Sequence, residues 1–252
     1  MTLAILSALA EEQHSLRARL QDAERVQRAG REFWRGRWQG HEVVLALSRV
    51  GKVAAATTAT ALIEGLGVRR IVFSGVAGGV EPGVRVGDVV VADAFVQHDL
   101  DASPLFPRFE IPLYGCDRMV CDAALTATLF EATNQAMAEP AGRFEGLGLP
   151  DDPAVHRGLV ASGDRFVSAA AESQVLRERL LQAGHRPLAV EMEGAAVAQV
   201  CFDYGVPFAA VRTVSDRADE HAHRDFTRFV QAVASPRAEA ILDRFLGLLS
   251  RS

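Results

Sequence analysis

Two carboxylates stand two residues apart in Ala189-Val190-Glu191-Met192-Glu193-Gly194-Ala195-Ala196, where an apolar strand gives way to an Ala-rich helix. This arrangement suits a neutral, hydroxyl-rich ligand, because an ionised carboxylate accepts hydrogen bonds from both hydroxyls of a ribose diol. At most one of the pair is expected to face such a ligand. The alternative for either is a buried acid paired with an arginine, for which Arg212 is the candidate. A second apolar run, Pro207-Phe208-Ala209-Ala210-Val211-Arg212, ends in Thr213-Val214-Ser215-Asp216 and brings another acid to a strand end. Asp216 either forms a surface ion pair with Arg217 or acts as a general acid oriented by Ser215. The second role requires its pKa to be lifted from about 3.9.

Glu11 and Glu12 follow the first apolar run, Leu3 to Leu9. In an open α/β sheet ligands bind outside the carboxyl ends of the strands, which makes Glu12 a catalytic candidate. Acids in a first helical turn also complement the helix dipole with no chemistry implied. The Gly-rich stretch Phe73-Ser74-Gly75-Val76-Ala77-Gly78-Gly79 matches neither the Walker loop nor the dinucleotide fingerprint by spacing. It reads as a tight turn: either the backbone N–H groups of Val76, Ala77 and Gly78 approach a ligand, or the turn merely needs positive φ. His98, His221 and His223 have no visible nucleophile partner, and a Gly-x-Ser-x-Gly elbow is absent, so acyl transfer by serine is disfavoured.

These groups must be held by a scaffold, and the chain alternates short β-branched runs with Ala-rich helical patterns. That alternation predicts an α/β fold, a sheet covered by helices on both faces. Strands are expected at 2–8, 31–37, 42–49, 69–75, 87–94, 157–162, 187–192 and 207–213. Helices are expected at 10–20, 51–66, 119–137, 170–183, 193–204 and 225–250. No repeat or boundary interrupts the pattern, so residues 1–252 read as a single domain. Segment 138–156, rich in Pro and Gly, reads as an extended surface loop. The irregular stretch from Gln97 to Pro112 carries exposed-type apolar residues, Leu105, Phe106 and Phe109, of the kind that cover a ligand or a partner subunit.

With 49% apolar and 23% charged residues and a net charge of −5, the composition is that of a globular protein. Its basic residues are scattered arginines with Lys52 the lone lysine, which disfavours a nucleic-acid stripe. No apolar run reaches the roughly 20 residues of a membrane span, and the apolar N-terminus lacks the basic flank of a signal peptide, so a cytoplasmic location is expected. Cys116, Cys121 and Cys201 fit neither a disulfide framework nor zinc spacing, and are expected to be reduced and structural.

Several motifs in order resemble the methylthioadenosine/S-adenosylhomocysteine nucleosidases of the type I nucleoside phosphorylase superfamily. They are Ala8-Leu9-Ala10-Glu11-Glu12, Gly51-Lys52-Val53-Ala54-Ala55, Ser74 to Gly79, Val86-Gly87-Asp88-Val89-Val90, Ser162-Gly163-Asp164-Arg165-Phe166-Val167, Val190 to Ala195 and Ser215-Asp216. The resemblance implies a twisted mixed central sheet flanked by helices, a homodimer, and attack of water on the bond between adenine and the ribosyl anomeric carbon, with no metal or organic cofactor. By position, Glu12 is implied as general base, Glu193 as ribose ligand, and Asp216 as the acid that protonates the departing adenine. Phe166 is implied to stack on adenine, Val167 to bond its edge, and Met192 to lie under the ribose. Ser215, Val76, Ala77, Gly78, Glu191 and Arg212 complete the expected binding set. Phe226 is expected in the alkylthio pocket, joined by Phe106 and Pro112 of the partner subunit.

Related phosphorylases resemble Arg-Val-Gly-Ser or Arg-Val-Gly-Thr where this chain has Phe73-Ser74-Gly75-Val76, and their N-terminal Gly-Asp-Pro is replaced by Ser7-Ala8-Leu9-Ala10-Glu11-Glu12. An Arg has become Phe, a phosphate-binding hydroxyl has become Val, and a glutamate stands where phosphate would be repelled. A hydrolase is therefore expected. The sequence does not separate methylthioadenosine from another adenine nucleoside such as aminofutalosine, and a non-catalytic nucleoside-binding protein is the reading from another class.

Overall fold

Leu3–Ser7 (β1) is a five-residue run with every side chain buried, as a strand covered on both faces requires. Leu3 and Ile5 pack into one apolar layer and Ala4 and Leu6 into the other, the alternation of a strand's pleat. The computed structural model describes residues 1–138, 149, 152–218 and 226–250. After β1 come helix α1 (Ala10–Arg17), the meander β2 (Gln21–Arg28), β3 (Arg31–Trp38) and β4 (His41–Leu47), and helix α2 (Lys52–Leu66). Then follow β5 (Arg70–Gly79), β6 (Val89–Gln97), the short β7 (Met119–Val120), α3 (Ala123–Ala138) and β8 (Val155–Ser162). The chain closes with α4 (Ala170–Gln182), β9 (Pro187–Glu191), α5 (Gly194–Tyr204), β10 (Phe208–Asp216), α6 (Phe226–Phe229) and α7 (Ser235–Leu249).

All ten strands join one mixed sheet in the order β10-β6-β8-β9-β5-β1-β4-β3-β2 with β7 on β6, and β10 also pairs with β5. Strands β5, β9, β8, β6 and β10 thereby close a ring, from which β1, β4, β3 and β2 extend as a wing. One face is covered by α2 and α5, whose Ala55, Ala59, Leu62, Ala195 and Cys201 join its core. The other is covered by α1, α3 and α7 through Leu16, Leu129, Leu242 and Phe245. Among the described residues no helix is long and apolar enough to cross a membrane. The three cysteines are free, and burial pushes the Cys201 thiol up to about 12, so it is held protonated as a small apolar filler.

Several readings depart from the sequence expectation. Met119–Val120 pairs with β6 as β7, and α3 begins only at Ala123, where a helix was expected from 119. Strand β2 was not expected because Gln21–Arg28 is mostly polar, and it is exposed at seven of eight positions, with no apolar alternation to reveal it. Its partner β3 supplies the pairing, and its charges suit an exposed sheet edge. The helix expected over 225–250 contains a π-turn at Val230–Ala234, directly before Pro236, whose missing N–H cannot continue a regular ladder. Phe109 is buried rather than exposed, set edge-on to His185, while Leu105 remains 84% exposed. Most of the expected loop 138–156, together with His221 and His223, lies outside the described residues.

Candidate active site

The carboxyl ends of β1, β5, β9 and β10 meet at one cleft of about 220 Å³. They converge because β5 runs parallel to β1 and β10, and its antiparallel contact with β9 is only two residues long, Gly78 against Val190 and Gly79 against Ala189. Glu12, Glu193 and Asp216 all line this cleft, and each is at least nine-tenths buried.

The Gly-rich stretch is not a turn. Residues 73–79 continue β5 in register with β10, and none of its glycines has positive φ. The glycines serve close approach instead. A Cβ on Gly75 would lie 3.0 Å from Glu12 Oε1, and one on Gly78 would lie 2.9 Å from Asp216 Oδ1. Both acids rest where β5 has no side chain.

Glu12 sits in the first turn of α1, where an acid complements the helix dipole, and it also lines the cleft. Its Oε2 accepts N–H bonds from Ala8 at 2.8 Å and Leu9 at 2.9 Å, and its Oε1 accepts one from Val76 at 3.1 Å. Burial raises its pKa, against the lowering by those N–H groups and by Arg212. A carboxylate whose pKa is lifted is a better proton acceptor near neutrality.

Asp216 is not in a surface pair with Arg217, whose guanidinium turns to the carbonyls of Val84 and Pro82. Its Oδ2 takes the Ser215 hydroxyl at 2.7 Å and its Oδ1 the Ala218 N–H at 2.8 Å. These bonds fix the carboxyl plane at the cleft wall.

Both glutamates of the Glu-Met-Glu sequence line the cleft, contrary to the expectation that one would turn away. Residues two apart on a strand share a face, and the chain enters α5 before the second can rotate off it. Their roles still differ. Glu191 is saturated: Arg212 Nη2 reaches it at 2.8 Å, the Ser162 hydroxyl donates to it, and the backbone N–H groups of Glu193 and Gly194 bond it at 2.9–3.2 Å. Glu193 accepts a single described bond, from Gly51 N–H at 3.0 Å, leaving acceptor capacity for a ligand.

Arg212 does not belong with the substrate-binding residues. It is 1% exposed, does not line the cleft, stacks 4.1 Å over the Phe73 ring and bonds Glu191 and the Phe73 carbonyl. Its place is beneath the site, as counter-ion to the acids above. Arg212→Met strands the Glu191 charge and is expected to cost about 3–5 kcal/mol, with much of the loss recovered in the double variant Arg212→Met, Glu191→Gln. Urea unfolding of the three proteins checks this.

Burial, reinforced by the neighbouring Glu191 charge, pushes Glu193 up to about 8. The folded protein therefore holds a proton on Glu193 that the unfolded chain releases near 4.5. The resulting stabilisation is complete below the unfolded value and is lost as pH rises through about 8, on the order of a few kcal/mol. Glu193→Gln is expected to leave the Tm nearly unchanged at pH 5 and to raise it above pH 8. Thermal scans at the two pH values decide it, and equal shifts at both would contradict the assignment.

Met192, Val76, Ala77, Gly78, Ser215 and Phe226 line the cleft as expected, with Phe166 at its mouth, 42% exposed, and Val167 buried. Phe106 and Pro112 lie half-buried in the 98–118 segment and do not line this chain's cleft. Sequence reasoning missed Ala8, Leu9, Val50, Val190 and Arg165. Leu9 and Val50 are apolar residues just past strand ends, a signal indistinguishable from core in one dimension. Arg165 is the only cation on the wall among the described residues, and Glu172 holds it at 2.7 Å.

This geometry has close counterparts. The phosphorylase superfamily profile matches residues 2–247. A 5′-methylthioadenosine/S-adenosylhomocysteine nucleosidase from Geobacillus thermodenitrificans is 35% identical over 253 residues, covering 100% of this chain and 99% of the relative. The chain belongs to this nucleosidase family, within the phosphorylase superfamily. The solved S-adenosylhomocysteine nucleosidase of Streptococcus pyogenes, in complex with 5-methylthiotubericidin, superposes with a TM-score of 0.85 at 33% identity, covering 99% of this chain and 97% of that one. The futalosine hydrolase of Helicobacter pylori is similar too, with a TM-score of 0.83 at 31% identity and 98% of both chains covered. The α/β architecture expected from the sequence is thus that of the nucleosidase family, mixed sheet and flanking helices included.

Proposed function

We propose that this chain is a hydrolase that cleaves the N-glycosidic bond of 5′-methylthioadenosine and S-adenosylhomocysteine, releasing adenine and the 5-thio-substituted ribose. One observation carries the choice of water over phosphate. The cleft wall presents four acids, Glu12, Glu191, Glu193 and Asp216, while its one described cation is engaged by Glu172. A phosphate dianion would meet net negative charge there, whereas water needs only a base. Phe73, standing where a phosphorylase resembles arginine, is fully buried under Arg212 and forms no part of the cleft.

In the reaction the C1′–N9 bond lengthens, and positive charge develops on the sugar as negative charge develops on the base. Glu12 takes a proton from water as its oxygen bonds C1′, and Asp216 gives a proton to the adenine ring as the electron pair of the broken bond moves onto it. Glu193 holds the ribose hydroxyls, and the Glu12 carboxylate stabilises the developing oxocarbenium charge in a site already desolvated. Phe166 stacks on the base, the backbone of Val167 bonds its edge, and Met192 supports the ribose. Val50, Leu9 and Phe226 form an apolar wall for the 5′ substituent.

The same reading makes the protein a homodimer, in which Phe106 and Pro112 of the second subunit complete the 5′ pocket. Leu105, Leu113, Val120 and Phe202 are apolar and 64–90% exposed, which supports an interface around the 98–118 segment. We place the reaction in the cytoplasm, in nucleoside catabolism and methionine salvage, a setting in keeping with three free cysteines.

The test is adenine release from methylthioadenosine by the purified protein, with and without phosphate, with the sugar product identified. Phosphate-independent formation of methylthioribose is expected. Strict phosphate dependence with a sugar 1-phosphate would overturn the hydrolase. Turnover of aminofutalosine in preference to either thio-nucleoside would move the substrate to that of the futalosine hydrolases.

A further inference from the structure

Lys52, the lone lysine of the chain, stands outside the cleft but between its two walls. Its Nζ donates to Asp99 Oδ1 at 2.6 Å and to Gln97 Oε1 at 3.0 Å, at the exit of β6. Asp99 in turn accepts the Asp164 N–H at 2.8 Å, and Asp164 Oδ1 accepts the Lys52 N–H at 2.7 Å. The loop of bonds is closed: side chain to Asp99, Asp99 to the 163–167 turn, and the turn back to the Lys52 backbone. On one side of it the preceding residue, Gly51, holds Glu193. On the other, Asp164 is two and three residues before Phe166 and Val167. Gln97 extends the network by donating to Gln199 of α5, the helix that Glu193 precedes.

We propose that Lys52 is a positioning residue for base recognition: through Asp99 it locks the 163–167 turn to the amino end of α2, fixing Phe166 and Val167 relative to the ribose ligand Glu193. The inference rests on the proposed adenine-nucleoside reading for its kinetic consequence, and on the bond network alone for its structural one.

The chemistry favours lysine at this place. Every other basic residue of the chain is arginine, whose long planar fork spreads its donors. Here a compact ammonium reaches two acceptors on neighbouring residues while its side chain is only 17% exposed. Against the burial that pushes it up, the Lys52 hydrogen bond and the Asp164 N–H hold the Asp99 carboxyl below its ordinary value. Removing the ammonium leaves a half-buried carboxylate facing Asp164 across the turn. The turn has little slack to absorb this on the other side, because a Cβ on Gly163 would already lie 2.3 Å from His98 Nε2.

Two variants test the assignment in the full-length protein. Lys52→Met removes the donor, and Asp99→Asn replaces the acceptor with a side chain of the same size, so a folding failure in one leaves the other. Two readouts are taken: hydrogen exchange of the Asp164 amide in the free protein, and the steady-state kinetics of adenine release with the Kd of free adenine. Expected are faster exchange at Asp164, adenine binding weaker by about tenfold, a KM raised in parallel with a smaller change in kcat, and a double variant no worse than the poorer single one. Adenine affinity and KM unchanged in folded variants would overturn the proposal, as would losses that follow the folded fraction alone. If the unsubstituted protein releases no adenine from any nucleoside while exchange at Asp164 still responds to Lys52→Met, the functional reading fails and the locking role stands. Unchanged exchange with normal nucleosidase activity is the reverse case and rejects the lock.

Discussion

Asp216→Asn is expected to reduce adenine release by roughly 10²- to 10⁴-fold while nucleoside binding stays within a few-fold of the unsubstituted protein. Asparagine keeps an oxygen for the Ala218 N–H and a partner for the Ser215 hydroxyl, two bonds that hold this side chain among the described residues. It lacks only the transferable proton. The loss therefore falls on the step in which adenine leaves and not on recognition. Single-turnover kinetics beside equilibrium titration with methylthioadenosine separate the two, and near-normal turnover in the variant would remove Asp216 from the mechanism.

Glu12→Gln is expected to produce a loss of similar size for a different reason, and with a second signature. The base must be ionised, so activity rises with pH through the Glu12 pKa, which burial has raised above 4.5. The variant should lose that acidic limb along with most of its rate. It also pays in stability, since glutamine cannot present acceptors to all three N–H groups of Ala8, Leu9 and Val76 without turning an NH₂ toward one of them. A pH–rate profile with the acidic limb intact in Glu12→Gln would assign the base elsewhere.

Much of this was legible in one dimension. Alternating β-branched and Ala-rich runs located eight strands and the principal helices, because burial on both faces imposes continuous apolar character. The acids were legible because each stands directly after such a run. What failed had a common cause. Strand β2 is held by its neighbour and not by its own pattern, and the stretch from Phe73 to Gly79 was read as a turn because glycine announces conformational freedom more loudly than close approach. Arg212 was read both as a binding residue and as the partner of a buried acid, because a strand-end arginine reads the same either way; the pairing with Glu191 is the one the structure has. Lys52 was visible as a lone lysine and within a family motif but not as a link between segments, since its partners lie 45, 47 and 112 residues away.

Two of the three glycines of β5 also set a spacing. Gly75 lies under Glu12 and Gly78 under Asp216, three residues apart on one strand. At about 3.3 Å per residue the two glycine positions are roughly 10 Å apart along the backbone. In the proposed reaction the seat over Gly75 holds the group that activates water, and the seat beside Gly78 holds the group that protonates the departing base. On that reading a nucleoside is cleaved only where its anomeric carbon is offered to Glu12 and its base to Asp216, and the strand fixes both places at once.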